Sequence, residues 1–236
     1  MKARKIIENT YTWNQVKKIL ETGRAREEFG IGGELTVMVE GIGEVAMQIL
    51  DFDRERVVPS GKNHNMTVMF RDLILEEKQF DKDGNNTWRT SSLRTELNSP
   101  MFINRFEEGF RNLIVPVLKD NTDGIDTEDT FFLVSNDELK NKKKRYAFFE
   151  TEKDCVKVNK NGETDWYWTR SAYRSLANYV MFVGSSGGVN DAYAWNANTY
   201  APIVFLKALW LLHSNNCPED IDKEPKSLAQ PKQYRG

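Results

Sequence analysis

The residues best suited to contact a ligand are concentrated between Trp166 and Leu206. The sequence there predicts a strand from Tyr179 to Val183, a turn from Gly184 to Gly188, and a second, alternating strand that begins at Val189. Tyr and Trp supply a large contact area with few rotatable bonds, and Asn and Ser adapt their hydrogen bonds. We therefore predict a non-catalytic ligand-binding surface made of Tyr173, Asn178, Tyr179, Asn190, Asp191, Tyr193, Trp195, Asn196, Asn198 and Tyr200.

The aromatic residues of this stretch have two possible roles. Alternation along the second strand places Asp191, Tyr193 and Trp195 on the same face. For Tyr193 and Trp195 the pattern fits a contact surface and a buried core equally well. For Trp166 and Trp168 it favours the core.

Residue types that usually perform catalysis are few. His64 titrates near neutral pH, but no Ser or Cys nucleophile motif accompanies it, so a structural role is the simpler interpretation. Cys155 and Cys217 have no metal-binding spacing, and two free thiols are expected, with a disulfide left open. Asp137 and Glu138 are adjacent, which favours a position at a helix start over acid–base chemistry. The sequence predicts no catalytic residue and no cofactor.

The segment Asp81–Asn85 begins like a calcium-binding loop. Such a loop requires Gly at its sixth position and Glu at its twelfth. Counted from Asp81, these positions hold Asn86 and Ser92, so we interpret the segment as a polar turn and predict no metal site.

Length and net charge limit the classes of fold and function that the chain can have. The 236 residues are 39% hydrophobic, enough for one full core. The net charge of −2 does not match nucleic acid or acidic lipid, and the basic run from Lys140 to Arg145 is interpreted as a solvated loop. No signal peptide and no membrane-spanning segment are apparent, so we expect a soluble protein made in the cytoplasm.

The positioning elements follow from periodicity and capping residues. The capping box that begins at Thr12 predicts a helix that ends at Gly23. Strands are predicted at 35–39, 45–49 and 66–70. Two longer helical stretches follow, at 88–98 and 102–114, and the apolar run 131–134 is typical of a central strand. We divide the chain into a lead-in helix (1–34), the main domain (35–213) and an extended or partner-ordered tail (214–236).

Five segments, in this order, resemble a domain family of unknown function that is common in phages and prophages of low-GC Gram-positive bacteria. They are TWNQVKKILETGRAREEFGIGGELTV, VAMQILDFD, WRTSSLRTELN, FFLVSNDE, and the closing set YWTRS, GSSGG and TYAPIVF. The resemblance extends over residues 10–206. Tyr200 and Ala201 depart from it, because the family has Gly and often Arg before the proline.

The resemblance implies an α+β, C-type-lectin-like fold: a mixed, twisted antiparallel sheet with two or three flanking helices. In that fold the last third of the chain supplies the exposed binding face. Structural roles are expected for Trp88, Arg94, Trp168, Arg170 and Pro202.

The function that the resemblance implies is adhesion or binding on a phage particle, at a tail tip, a fibre or a capsid decoration. The partners would be other virion proteins and a host surface glycan or protein, without nucleic acid or membrane insertion, in an oligomer or larger assembly. An alternative is a structural virion protein that uses the same face for protein–protein contacts. A formylglycine-generating type of enzyme is disfavoured because the required cysteine pair is missing, and calcium-dependent sugar binding because Asp191 has no partner loop.

Overall fold

A computed structural model of the chain describes residues 11–57 and 64–208, and it has an α+β architecture, as predicted. The α-helices are α1 (Trp13–Glu21), α2 (Ala25–Phe29), α3 (Ser92–Leu97), α4 (Pro100–Ile103), α5 (Glu108–Arg111) and α6 (Asn136–Lys140). Short 3-10 helices lie at Trp88–Thr90 and Glu152–Cys155. The strands are β1 (Glu34–Val39), β2 (Gly43–Phe52), β3 (Arg56–Val57), β4 (Asn65–Phe70), β5 (Lys78–Gln79), β6 (Val117–Lys119), β7 (Thr127–Asp129), β8 (Phe131–Phe132), β9 (Lys157–Val158), β10 (Thr164–Asp165), β11 (Tyr167–Ala172), β12 (Tyr179–Val183), β13 (Val189–Tyr193), β14 (Ala197–Asn198) and β15 (Ile203–Lys207).

The central sheet has five antiparallel strands in the order β1-β2-β4-β15-β8. The three predicted strands between residues 35 and 70 are confirmed, and β1 and β2 form the predicted hairpin, with Val39 opposite Gly43. Every residue of β4 and β15 is buried, because both strands have neighbours on either side and are covered on both faces. The prediction of a central strand at 131–134 was wrong. β8 is an edge strand; its Phe131 ring packs against Phe102 and Phe106, and the Phe131 carbonyl accepts a hydrogen bond from the Asn98 carboxamide.

Helix α1 begins at the predicted capping box. The Thr12 side chain accepts from the Gln15 N–H, and the Gln15 side chain bonds back to the Thr12 backbone. The helix ends where Gly23 adopts a φ of +73°, a conformation that favours glycine. Trp13 packs edge-on against Phe110, with 4.9 Å between ring centroids, so α1 belongs to the same hydrophobic core as the sheet.

The helical region between residues 88 and 114 is more interrupted than its periodicity predicts. The two predicted helices are a 3-10 turn and three short α-helices, and the described residues contain six α-helices in place of two or three. Ser91 and Ser99 each accept a backbone N–H as N-caps, and Pro100 occupies the first turn of α4. Because these residues begin new helices, the region is divided into short helices. Its buried apolar residues nevertheless keep helical spacing across the interruptions.

A second antiparallel sheet, β11-β12-β13, contains the predicted hairpin of the last third of the chain. It is attached to the central sheet through β11, where the Arg170 N–H donates to the Val134 carbonyl at 2.9 Å and the Trp168 N–H donates to the Thr199 carbonyl at 3.0 Å. Trp168 is fully buried, as the sequence favours, and Trp166 is half-buried beside Phe182. The inner face of this small sheet therefore belongs to the core, and its outer face is available for contact.

The predicted boundary at residue 34 coincides with the start of β1, but the residues on either side of it pack into one core. The predicted tail, 214–236, lies outside the described residues. Within the described ranges, the helices are too short or too polar to cross a bilayer.

Candidate ligand-binding face and groove

Four aromatic side chains form a row across the outer face of the β11-β12-β13 sheet, and we call them the aromatic row. Adjacent ring centroids are 6.4 Å apart for Tyr173 and Tyr179, 4.2 Å for Tyr179 and Tyr193, and 4.6 Å for Tyr193 and Trp195. Tyr179 and Tyr193 are directly opposed on neighbouring strands, where side chains lie closest. A hydrogen bond between these two residues raises the pKa of Tyr179 to about 12. Tyr179 therefore stays uncharged at neutral pH.

The end of the row is open to solvent. Tyr193 is 39% exposed and Trp195 is 44% exposed. Large aromatic side chains dominate the energetics of interfaces, and an exposed, mutually stacked set of them is the kind of surface that contact with a partner covers. For Tyr193 and Trp195 the structure thus favours the contact surface over the core.

The predicted contact residues do not all reach this face. Asp191 is exposed on β13 on the same side as Tyr193, whereas the exposed Asn190 points to the opposite side of the strand. Asn178 and Asn196 are half-buried in the loops that flank the row.

Asn198 and Tyr200 were predicted to lie on the contact surface, and this prediction was wrong. Their side chains are 1% and 3% exposed. Asn198 lies on β14, which pairs with β5, and its Oδ1 atom accepts the Thr199 N–H at 2.8 Å. Tyr200 is covered as the chain turns into β15, and burial raises the pKa of its hydroxyl. Composition alone placed both residues on the surface, although the chain at this point has already entered the core.

One loop, residues 81–86, holds the row in place. Trp195 lies so close to Gly84 that a Cβ atom there would be 2.5 Å from the Trp195 Cε3 atom. The Asn86 carboxamide donates to the carbonyls of Tyr173, Leu176 and Tyr179, at distances of 2.9 to 3.1 Å. This is the predicted polar turn, and its function in the fold is to fix the 173–179 loop that connects β11 to β12.

A groove begins at Tyr173 and consists of two adjoining hollows of about 450 and 640 Å³. The hollows meet where the Ala172 N–H donates to the Thr122 hydroxyl at 3.2 Å. Both hollows are lined by Asn121, Thr122, Arg170, Ala172, Tyr173, Arg174 and Ser175. The first also contains Ser135, Asn136, Asp137 and Lys144, and the second Asn86, Thr87, Trp88 and Asp123.

A buried ion network supports the floor of the groove. The Arg170 guanidinium forms a two-point ion pair with Glu138, in which Nη2 is 3.0 Å from Oε1 and Nη1 also bonds to Oε2. The Lys119 ammonium lies 2.7 Å from both Glu138 and Glu55, and the Tyr146 hydroxyl donates to Glu55 at 2.6 Å. Arg170, Lys119 and Glu138 are 1%, 4% and 8% exposed in their side chains.

The charges in this network are compensated. Burial by itself raises the pKa of Glu138, but the adjacent Arg170 and Lys119 outweigh that effect, so its pKa is well below the ordinary value. Glu138 is therefore a permanent anion at neutral pH and a poor general acid. The ion pair between Arg170 and Glu138 supports the fold, as the structural role predicted for Arg170 requires. Asp137 and Glu138 lie in the first turn of α6, where the sequence predicts a helix start.

Of the other predicted structural residues, Trp88 and Pro202 are buried and Arg94 is half-buried. Trp88 donates through Nε1 to Asp129 at 2.9 Å, and Arg94 donates to the other oxygen of the same carboxylate at 2.6 Å. Pro202 is buried, and its carbonyl accepts the Phe70 N–H at 3.0 Å. These contacts join the helical region to β7 and the last strand to β4.

The described ranges contain one cysteine, Cys155, and one histidine, His64. Burial raises the pKa of Cys155 to about 11, so its thiol remains protonated, and no second cysteine lies within the described ranges. Cys217 and His213 are outside these ranges. His64 is exposed and its ring lies against Gly23. No group of three or more His, Cys, Asp or Glu residues in the described part of the chain could hold a metal.

Sequence reasoning did not identify the groove residues Asn121, Thr122, Asn136 and Arg174. Asn121 and Thr122 lie in the loop between β6 and β7, Asn136 begins α6, and Arg174 lies in the loop between β11 and β12. Each is a common surface residue type. The only local signal was the polar turn at 81–86, which contacts the Tyr173 loop.

Residues 64–208 match the model of one protein family, which is described as Domain of unknown function (DUF6273). The matched range contains the aromatic row, both hollows of the groove and all of the network except Glu55. Comparison with curated proteins and with solved structures found no match. Since the family model matches more than half of the chain, the protein belongs to the DUF6273 family, a domain of unknown function.

Proposed function

We propose that this protein is a non-catalytic binding module that contacts its ligand through the aromatic row and the adjoining groove. The observation that carries the proposal is the exposure of Tyr193 and Trp195 at the end of a stacked row. Leaving such rings in water forgoes the burial free energy that aromatic side chains otherwise contribute, at about 25 cal/mol per Å² of apolar surface. A partner that covers the row recovers this free energy.

The biological setting that we propose is a phage particle, where the module acts at a tail tip, a fibre or a capsid decoration. Its support is the order of sequence motifs between residues 10 and 206, which also supports a C-type-lectin-like arrangement of the α+β fold. In that arrangement the last third of the chain provides the binding face, and the aromatic row lies in that part of the sequence.

The binding proposal is tested with a paired substitution, Tyr193→Ala with Trp195→Ala. Arrays of glycans and of bacterial surface proteins would be probed with the whole chain and with this variant. We expect bound signals to fall at least ten-fold in the variant. Removing the stacked pair is expected to lower the free energy of unfolding by only about 1–2 kcal/mol, so the variant stays folded.

The matched control is Met101→Ala, because Met101 is an exposed apolar residue (84%) on α4, outside the row. The control should bind as the unmodified chain does. Equal binding by the paired variant would contradict the proposed face, and an unfolded paired variant would show that the two rings belong to the core.

A second function, a structural virion protein that binds another virion protein, is favoured by one observation. Leu176, in the loop beside the row, is 47% exposed and extends the apolar surface. Mass spectrometry of purified particles separates the two functions. A few copies per particle would favour a tail-tip adhesin, many copies would favour a structural subunit, and absence would contradict both settings.

A further inference from the structure

The charged residues that line the groove are paired with residues of opposite charge, with one exception. Asp120 lies 3.3 Å from Arg170 and 2.9 Å from Lys144, and Lys144 also lies 3.1 Å from Asp137. Asp123 is paired with Arg89 at 3.2 Å. The pKa of Asp120 is lowered, although burial opposes this, because Lys144 and Arg170 stabilise its carboxylate. Each acidic residue that lines the groove therefore has a cation partner, although Lys144 is shared by Asp120 and Asp137, and Arg170 by Asp120 and Glu138.

Arg174 is the exception. It is exposed, it lines both hollows, and it has no ion pair or hydrogen bond to any residue in the described part of the chain. A guanidinium presents five N–H donors in a planar fork that matches a carboxylate or a phosphate. Arg174 is thus a groove cation, next to both hollows, whose guanidinium is not paired within the described residues.

The rest of the lining is rich in uncharged polar groups. Asn121, Thr122, Asn136, Ser171 and Ser175 supply hydroxyls and carboxamides that can both donate and accept. The Asn136 Oδ1 atom is buried at the wall and has no hydrogen-bond partner among the described residues. Turning this oxygen toward a ligand hydroxyl therefore breaks no existing bond. Such a surface matches a ligand with many hydroxyl groups better than an apolar one.

The aromatic row continues from the groove at Tyr173. Flat rings next to polar groups favour a ligand that has both an apolar face and polar edges, since the apolar face packs on the rings while the edges form hydrogen bonds. A saccharide ring and a polyol chain both have this character. The two hollows share seven lining residues, and their volumes of about 450 and 640 Å³ provide space for more than one such unit.

We propose that the groove binds a hydroxyl-rich ligand that carries an anionic group, with the anion on Arg174 and the rest of the ligand along the groove and the row. The proposal rests on the proposed binding function and specifies its ligand class. Two sources share this chemistry: an acidic oligosaccharide, which carries carboxylates, and a polyol phosphate chain.

The test measures binding of the whole chain by isothermal titration calorimetry to three probes of matched length: an oligogalacturonate, an oligomer of glycerol phosphate and a neutral maltooligosaccharide. We expect one acidic probe to bind at least ten-fold more tightly than the neutral one, and this binding to weaken as salt is added. The acidic probe that binds identifies the source as carboxylate or phosphate.

Arg174→Gln is expected to weaken binding of the acidic probe about ten-fold or more, because a hydrogen bond between two charged groups is stronger than one to a neutral carboxamide. Arg174→Lys should retain part of the affinity, since it keeps the charge but not the fork. Arg24→Gln is the matched control: it removes an exposed arginine (63%) between α1 and α2 and should change nothing. Unchanged melting temperatures would show that all variants are folded.

Three results would overturn the ligand assignment: equal affinity for neutral and acidic probes, no effect of Arg174→Gln, or no binding of either acidic probe at millimolar concentration. The array experiment on the aromatic row distinguishes this failure from failure of the binding function. One outcome of the array is a set of ligands, whether neutral glycans or proteins, whose binding requires Tyr193 and Trp195 but not Arg174. That result would support the proposed binding function and contradict the proposal of an anionic ligand.

Discussion

At the scale of single residues, Glu138 shows how one side chain supports both the fold and the floor of the groove. It caps the start of α6 by accepting the Ser135 N–H at 2.8 Å, and it pairs with Arg170 and Lys119. Arg170 lines both hollows of the groove, and together with Lys119 it keeps Glu138 ionised. A buried carboxylate with its charge compensated on two sides is a structural group, and its contribution to stability must depend on pH.

Glu138→Gln is expected to lower the free energy of unfolding at pH 7 by about 3–5 kcal/mol, because it leaves Arg170 and Lys119 buried without their shared anion. In the unmodified protein, the folded-state pKa of Glu138 lies below the unfolded value of about 4.3. The stability that the pair provides is therefore complete above that pH and is lost as the pH falls toward the folded-state pKa.

Urea unfolding between pH 7 and pH 3 measures both effects. The unmodified chain should lose stability as the pH falls below about 5, and the glutamine variant should show a smaller loss over the same range. Asp137→Asn is the control, since Asp137 precedes Glu138 but its side chain is 51% exposed. Identical pH dependence in the unmodified chain and the Glu138 variant would show that this carboxylate is not a major source of acid sensitivity.

At the scale of elements, the β12–β13 hairpin depends on a turn that docks against another part of the chain. Gly187 has a φ of +88°, and a Cβ atom at this position would lie 1.9 Å from the Glu152 carbonyl oxygen. Its N–H donates to the Gly184 carbonyl at 2.8 Å and closes the turn. The turn therefore needs glycine for two reasons, its backbone conformation and the close approach of the 3-10 helix Glu152–Cys155.

Gly187→Ala should lower the free energy of unfolding by about 2–4 kcal/mol, because the residue combines a strained backbone with a steric overlap against main-chain atoms. Gly188→Ala is the matched control in the same turn: its added Cβ would meet nothing closer than the Ser186 hydroxyl at 3.8 Å. Thermal and urea unfolding of the two variants provide the comparison. A variant at 187 that is as stable as the variant at 188 would mean that the turn does not dock as described.

At the scale of the whole molecule, the family segment 64–208 does not contain the complete core. Strand β2 pairs along β4, with Ile49 opposite Val68, and the β1–β2 hairpin completes one side of the central sheet. The buried α1 residues Trp13 and Val16 also precede the family segment. The residues upstream of position 64 are therefore part of the fold that holds the groove and the aromatic row.

A fragment containing only residues 64–208 is expected to aggregate or to unfold without a cooperative transition. Without β2, the fully buried strand β4 becomes an exposed apolar edge, which favours association between chains. Size-exclusion chromatography and circular dichroism of the fragment, compared with the whole chain, measure this. A monomeric fragment that unfolds cooperatively would show that the first two strands are dispensable.

The sequence by itself determined the parts of this protein that depend on local pattern. The capping box at Thr12, the β1–β2 hairpin, the strand at β4 and the β12–β13 hairpin follow from side-chain spacing and turn residues that act over a few positions. The α+β class was predicted from the family resemblance.

The tertiary structure decided which residues meet. Glu55, Lys119, Glu138 and Arg170 form one network although they lie in segments distant in sequence, and the groove combines the 120–124 loop with the end of β11 in the same way. The burial of Asn198 and Tyr200 could not be predicted from local sequence either, because it depends on which residues pack over them. A local pattern fixes the direction in which a side chain points, but only the packing of distant segments determines whether that direction leads to solvent, to an ion pair or to the core.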